Sequence, residues 1–87
     1  MTEHFGLLYI NVDEPRNSEI YGIYSSYDEA VEKLLECANY REDENGELTQ
    51  YMENSYEYSS LNEIRDIIRE NNELVDIDIY RIEKVYL

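Results

Sequence analysis

The pattern of apolar and polar residues predicts an alternation of short strands and capped helices. Residues 5–12 are nearly all apolar, which is typical of a strand that is covered on both faces. Pro15 and the turn-forming Asp, Asn and Ser around it predict a turn, and residues 19–24 predict a second strand. The short connection between these strands favours an antiparallel hairpin.

Two amphipathic helices are predicted by the same local device, a serine followed three residues later by glutamate. Ser26 precedes a stripe of apolar residues at helical spacing, and we place this helix at about residues 26–39. Ser60 precedes a second stripe, which stops near residues 71–72. In each case the pattern is that of a capping box, in which serine and glutamate each bond the other's backbone N–H.

The last segment, residues 74–87, predicts a strand. Val75, Ile77 and Ile79 alternate with two aspartates, and such alternation indicates a half-buried strand with these apolar residues inward. The alternation blurs at residues 81–82, where we expect a bulge or a bend.

The element order is therefore β-β-α-(β or loop)-α-β, in which residues 48–58 are either a strand or a loop. We predict a single α+β domain of residues 1–87, with both helices packed on one face of a small antiparallel sheet. The sheet has three strands if the final strand pairs with the first, and four if residues 48–52 join it.

Composition narrows the class of protein. The 87 residues contain 21 Asp and Glu against 7 Lys and Arg, a formal net charge of −14. Such charge opposes direct binding to nucleic acid or to anionic membranes, and the 43% apolar content with ten tyrosines excludes a disordered acidic tail. The first residues lack the pattern of a signal peptide, no apolar run is long enough to span a membrane, and Cys37 has no disulfide partner. These features favour a cytoplasmic protein.

Residues 20–30 carry a more specific pattern, in which a strand runs through a glycine, an aliphatic residue, an aromatic residue and two serines into a helix. This pattern resembles one found in small uncharacterised proteins of phages and large DNA viruses, and residues 80–87 are similar to the final strand of those proteins. The resemblance covers about a quarter of the chain. It implies a small α+β fold and a viral origin, hence a location in the host cytoplasm, and it transfers no functional residues.

The sequence offers little catalytic or cofactor chemistry. Cys37 lies near the edge of a helical stripe, and the only histidine that could activate it is His4 near the start of the chain. The acidic turn at residues 42–47 has oxygen ligands, but Gly46 follows Asp43 by three residues where a calcium loop of the EF-hand type requires five. We therefore predict a protein that is not an enzyme and has no cofactor or metal site.

Two functions remain. A charge of −14 costs self-repulsion and exceeds the magnitude of about 2–8 that ordinarily keeps a small domain soluble. This favours an interaction protein that docks onto a basic partner, such as a nucleic-acid-binding enzyme, in the manner of a DNA mimic or an anti-defence inhibitor such as an anti-CRISPR. The alternative is a structural or assembly module, homodimeric or virion-associated, that uses a sheet edge or a tyrosine patch.

The residues expected to bind a basic partner are acids and aromatic anchors. Acids two apart on a strand lie about 6.6 Å apart on one face and can imitate a row of phosphates. The tyrosines either pack onto the sheet or supply interface anchors. The predicted set is Glu42, Asp43, Glu44, Glu47, Tyr51, Tyr56, Tyr58, Asp76 and Asp78.

Overall fold

The computed structural model describes residues 1–42, 44, 48–50, 60–75 and 78–87. Strands and capped helices make up most of these residues. Four strands form one antiparallel sheet in the order β2-β1-β6-β5, and β3 pairs with β4 separately. The predicted α+β class is confirmed. In chain order the elements are β1 (Glu3–Ile10), a 3-10 turn (Pro15–Asn17), β2 (Glu19–Tyr24), α1 (Tyr27–Cys37), β3 (Tyr40–Glu42), β4 (Leu48–Gln50), α2 (Leu61–Asn71), β5 (Glu73–Val75) and β6 (Ile79–Tyr86).

Both helices begin at the serines that the sequence indicates. The Ser26 hydroxyl accepts a hydrogen bond from the backbone N–H of Glu29 at 3.1 Å, and Ser60 caps α2 in the same way at 3.2 Å. The carboxylate of Glu29 accepts from the hydroxyl of Ser25 at 3.4 Å. The α2 helix ends at Asn72, whose φ of 57° is the left-handed conformation that terminates many helices.

The core lies between the helices and one face of the sheet. Leu7 of β1 is fully buried at its centre, opposite the buried Ile82 of β6. The hairpin of β1 and β2 and the pairing of the last strand with β1 are confirmed. Burying one such aliphatic side chain stabilises the fold by roughly 1.5–3 kcal/mol. The buried core residues are Leu7, Ala30, Val31, Leu34, Leu35, Tyr40, Leu61, Ile64, Ile68, Leu74 and Ile82.

The last segment of the chain differs from the prediction in where its strands begin and end and in which of its residues face the core. Residues 73–86 contain two strands that pair with each other, β5 and β6, and β6 runs without interruption through residues 81–82, where a bend was predicted. Leu74 and Ile82 face the core, whereas Val75 is exposed. A shift of one residue exchanges the faces of a strand, so the predicted inward set was wrong at Val75 and at Ile79, which pairs with it on the other face. The fourth strand of the sheet is β5, because β4 pairs with β3.

Both helices pack on the same face of the sheet, so neither described helix covers the second face of β1. Side chains alternate between the faces of a strand, and the residues between the core positions therefore point the other way. Val85 lies on this second face. A Cβ atom built on Gly6, which alternates with the core residue Leu7, would lie 3.2 Å from the Cγ2 atom of Val85. We call it the open sheet face; its residues are His4, Gly6, Leu8, Ile10, Ile20, Ile23, Glu73, Val75, Ile79, Arg81, Glu83 and Val85.

Candidate functional site

The residues predicted to bind a partner fall mostly in segments that the structure does not describe. Glu44 is exposed, and Glu42 lies in β3, where only its backbone is described. Asp78 is half-buried at the bend before β6. The other predicted residues lie outside the described residues: Asp43, Glu47, Tyr51, Tyr56, Tyr58 and Asp76.

A different group of tyrosines meets at one end of the sheet. The register between β1 and β2 shifts after Leu7, so that Tyr21 is the extra residue of a β-bulge. Its ring stacks on that of Tyr9, with the centroids 5.3 Å apart and the planes 3° from parallel. Tyr80 lies opposite Tyr9 on β6, with a centroid distance of 5.6 Å. The three rings therefore form one aromatic cluster built from three strands.

Asp78 ties this cluster to the loop that follows β1. Its Oδ2 accepts a hydrogen bond of 2.6 Å from the Tyr9 hydroxyl, and its Oδ1 accepts one of 3.3 Å from the backbone N–H of Val12. Tyr80 donates to the carbonyl of Cys37 at the end of α1, at 3.4 Å. From the sequence, Asp78 was predicted to belong to a row of acids that faces solvent. In the structure its carboxylate instead forms hydrogen bonds within the molecule and positions the ring of Tyr9.

The phenols of this cluster are held in their neutral form. The hydrogen bond to Asp78, followed by burial and by the charges of Asp78, Tyr21 and Glu19, raises the pKa of Tyr9 to about 12. Burial is the main cause of the raised pKa values of Tyr21 and Tyr80. At neutral pH the rings are hydrogen-bond donors with apolar faces, which is the chemistry of contact surfaces.

Acidic residues lie in the loop that follows β1 and at the start of β2. The side-chain oxygen of Asn11 accepts from the backbone N–H groups of Asp13 and Glu14, at 3.1 Å each, and this turn fixes the loop with both acids exposed. Glu19 begins β2 directly opposite Tyr9. We call the whole group the tyrosine end; it comprises Tyr9, Tyr21, Tyr80, Asp13, Glu14, Glu19 and Asp78.

Sequence reasoning missed the tyrosine end because its three rings come from strands that are distant in the chain. The predicted hairpin held a partial signal, since it brings Tyr9 and Tyr21 onto neighbouring strands. Their stacking, however, depends on the bulge, and the place of Tyr80 depends on the register of β6. Neither can be read from local residue spacing.

The remaining polar chemistry is sparse in the described part of the chain. Burial raises the pKa of the Cys37 thiol, which is therefore protonated at neutral pH. Across residues 1–42, 44, 48–50, 60–75 and 78–87, no three His, Cys, Asp or Glu side chains lie close enough together to hold a metal ion. Neither helix in these ranges has the length and apolar character needed to cross a membrane. A half-open cleft of about 400 Å³ lies beside Phe5, Tyr27 and Asn72.

The fold and the tyrosine end define a small, acidic α+β protein with an aromatic surface cluster bordered by carboxylates. No protein-family model matches the chain, and comparisons with curated proteins and with solved structures likewise find no match.

Proposed function

We propose that this chain is a non-enzymatic interaction protein, of viral origin and acting in the host cytoplasm, that docks onto a basic partner protein and blocks its nucleic-acid-binding surface. The observation that supports this proposal most is the excess of carboxylates that the protein's own cations leave unpaired. The tyrosine end supplies the aromatic anchor that such docking requires.

The charge cannot be balanced within the molecule. Seven basic residues face 21 acidic ones, so at least fourteen carboxylates have no cation of their own. The ion pairs in the described residues already engage five of the seven basic side chains. Arg65 pairs with Glu32 at 2.8 Å and Arg69 with Asp28 at 3.3 Å, so both join α2 to α1. These cations hold the helices together and leave the outer surface acidic.

The outer side of α2 presents part of that surface. Asp66 and Glu70 are exposed and four residues apart, so they lie on one side of the helix in a row with a step of about 6 Å. Carboxylates in a row create a negative field that attracts a basic surface and accelerates association. This field is screened by salt over about 10 Å at 0.1 M, which makes the proposed binding salt-dependent.

The tyrosine end adds contact energy to this attraction. Tyr21 is exposed beside the half-buried rings of Tyr9 and Tyr80; it stacks on Tyr9, and Tyr80 contacts Tyr9 at a tilted angle. Preorganised tyrosine rings lose little conformational entropy on binding and are enriched in interfaces. A basic protein surface fits this arrangement, because arginine stacks on aromatic rings and pairs with the adjacent carboxylates.

The experiment that tests the proposal begins with affinity capture of the partner from the host, followed by binding measurements on the purified pair. We expect a basic nucleic-acid-binding protein whose affinity falls about tenfold or more between 50 and 200 mM NaCl. Duplex DNA or RNA should compete with the acidic protein for that partner. A partner that is neutral, or retained equally at high salt without competition, would contradict the proposal.

Charge-reversal variants distinguish a specific docking site at the tyrosine end from a general attraction of the basic partner to the protein's net negative charge. Glu14→Lys combined with Glu19→Lys changes the tyrosine end, and Asp66→Lys combined with Glu70→Lys changes the net charge by the same amount on α2. We expect the first pair to weaken partner binding much more than the second. Equal effects would mean that the tyrosine end is not the docking site.

The charged turn predicted from the sequence is tested separately. Glu42, Asp43 and Glu44 are changed together to lysine, and loss of partner binding with an unchanged fold is the expected result if the turn contacts the partner. Survival of binding would place the interface elsewhere, and circular dichroism serves as the folding control.

A further inference from the structure

The open sheet face is largely apolar although it lies on the surface. Ile20 is 65% exposed, Ile23 is 46% exposed and Val75 is 42% exposed. Half-buried aliphatic side chains of β1 and β6 lie between them, so the apolar area is continuous across the sheet. The seven apolar side chains of the face are Leu8, Ile10, Ile20, Ile23, Val75, Ile79 and Val85.

This face also carries almost none of the protein's negative charge. Its ionisable side chains are His4, Glu73, Arg81 and Glu83, which together sum to −1 with the histidine neutral, against −14 for the chain. Arg81 lies 3.1 Å from Glu73 and 3.9 Å from Glu83, so the charges on the face are compensated locally. A basic partner is therefore drawn to other surfaces, and a second acidic molecule meets the least repulsion here.

We propose that the open sheet face is covered by a second copy of this chain, giving a symmetric dimer in which two sheets pack face to face. Stacked sheets lie about 10 Å apart with their side chains interdigitated, a packing that exposed aliphatic residues on a four-stranded sheet can form. A twofold interface brings the same patch together from both copies. A patch that carries both signs of charge side by side suits such self-association.

The size of the face sets the strength of this dimer. Strands of eight, eight, six and three residues form the sheet. At a spacing of about 4.8 Å and a rise of about 3.3 Å per residue they cover about 400 Å². Two copies therefore bury about 800 Å² in total before the corrugation of the side chains is counted, which is below the roughly 1,200 Å² of stable interfaces and within the size of weak, transient ones. We therefore expect a weak dimer, whose population changes with protein concentration.

Sedimentation velocity on the full chain, at 5–500 µM protein and at 50 and 500 mM NaCl, tests the proposal. We expect a monomer–dimer equilibrium that is tighter at high salt, because screening reduces the repulsion between two molecules of charge −14. Ile20→Glu and Ile23→Glu should each weaken dimerisation at least tenfold. Tyr86→Glu is the matched control, since it adds the same charge at a residue of β6 that is 57% exposed and alternates with Val85 onto the opposite face, and it should leave the equilibrium nearly unchanged.

Two results would overturn the proposed dimer. The first is a protein that stays monomeric at all protein and salt concentrations, which is also the result expected if residues 51–59 cover the face. The second is a dimer that persists in the Ile20→Glu and Ile23→Glu variants although both variants are folded. A second measurement does not depend on variants. In a mixture of isotope-labelled and unlabelled wild-type protein, intermolecular contacts between Ile methyl groups of the open sheet face support the dimer, and their absence in a dimeric sample contradicts this interface. The salt response is opposite to that expected for the basic partner, so either proposal can fail without the other.

Discussion

Replacing Asp78 with asparagine tests the hydrogen bond that organises the tyrosine end. In the structure, Asp78 accepts from the Tyr9 hydroxyl at 2.6 Å, and this bond is the largest cause of the rise in the pKa of Tyr9 from 10.0 to about 12. The rise corresponds to about a hundredfold weaker acid. The carboxylate contributes twice, through the hydrogen bond and through its charge, so Asp78→Asn should lower the pKa of Tyr9 by about one pH unit or more.

The assay is NMR of protein labelled at the tyrosine ring carbon that bears the hydroxyl, titrated from pH 8 to 12.5. The Tyr9→Phe variant assigns the signal among the ten tyrosines. Asp13→Asn is the control, because it removes the same charge from the neighbouring loop without touching the Tyr9 hydroxyl. If Tyr9 ionises near pH 10 in the unmodified protein, or if Asp78→Asn and Asp13→Asn have equal effects, the described hydrogen bond is refuted.

The same bond predicts how stability depends on pH. Below pH 10 Tyr9 is protonated in both the folded and the unfolded chain, so the stabilisation is fully present. Between pH 10 and about 12 the unfolded chain releases this proton first, and the free energy of unfolding falls as the pH rises. Urea unfolding at pH 8, 10 and 11 should show a shallower decline for Asp78→Asn than for the unmodified protein. An identical decline would contradict the assignment.

Three further predictions concern the fold and are measured by urea unfolding at pH 7. Ser26→Ala removes the cap of α1 and should lower the free energy of unfolding by about 1 kcal/mol, whereas the control Ser25→Ala should lower it much less. Equal losses would count against the cap. Ile68→Ala should cost about 2–5 kcal/mol because the side chain is fully buried, and Ile67→Ala, at a half-buried position, should cost clearly less. Asn39 has a φ of 64°, a conformation that glycine adopts without strain and alanine does not. Asn39→Gly should therefore leave the free energy of unfolding nearly unchanged, and Asn39→Ala should lower it by about 1 kcal/mol. The reverse order would exclude this backbone conformation.

The parts of the fold that the sequence predicted correctly depend on neighbours along the chain. A serine cap, its acidic third residue and the apolar stripe behind it all lie within one helix, so α1 and α2 were placed within a few residues of their observed ends. The hairpin of β1 and β2 also follows from a short connection with turn residues. In these elements the interactions that decide the structure join residues that the sequence places close together.

The candidate site was much less predictable. The sequence favoured acids and tyrosines that are close together in the chain, and of those that the structure describes, Asp78 belongs to the tyrosine end. The three rings of that end come from β1, β2 and β6, and they meet through a bulge and a long-range register. Pairing between distant strands depends on loop closure and packing, for which a single sequence carries no local signal.

The sequence by itself determined the class of the protein: an acidic α+β chain whose carboxylates outnumber its cations threefold, with two capped helices and a β-hairpin. These properties follow from composition, from contacts within one helical turn and from the short connection between β1 and β2. Only the tertiary structure decided which face of each strand is buried, because β1 is largely apolar on both faces, β6 carries both apolar and charged residues on each face, and alternation alone cannot choose between them. The packing of both helices on one face made that choice, because it buried Leu7 and Ile82 and left the open sheet face without a described helix.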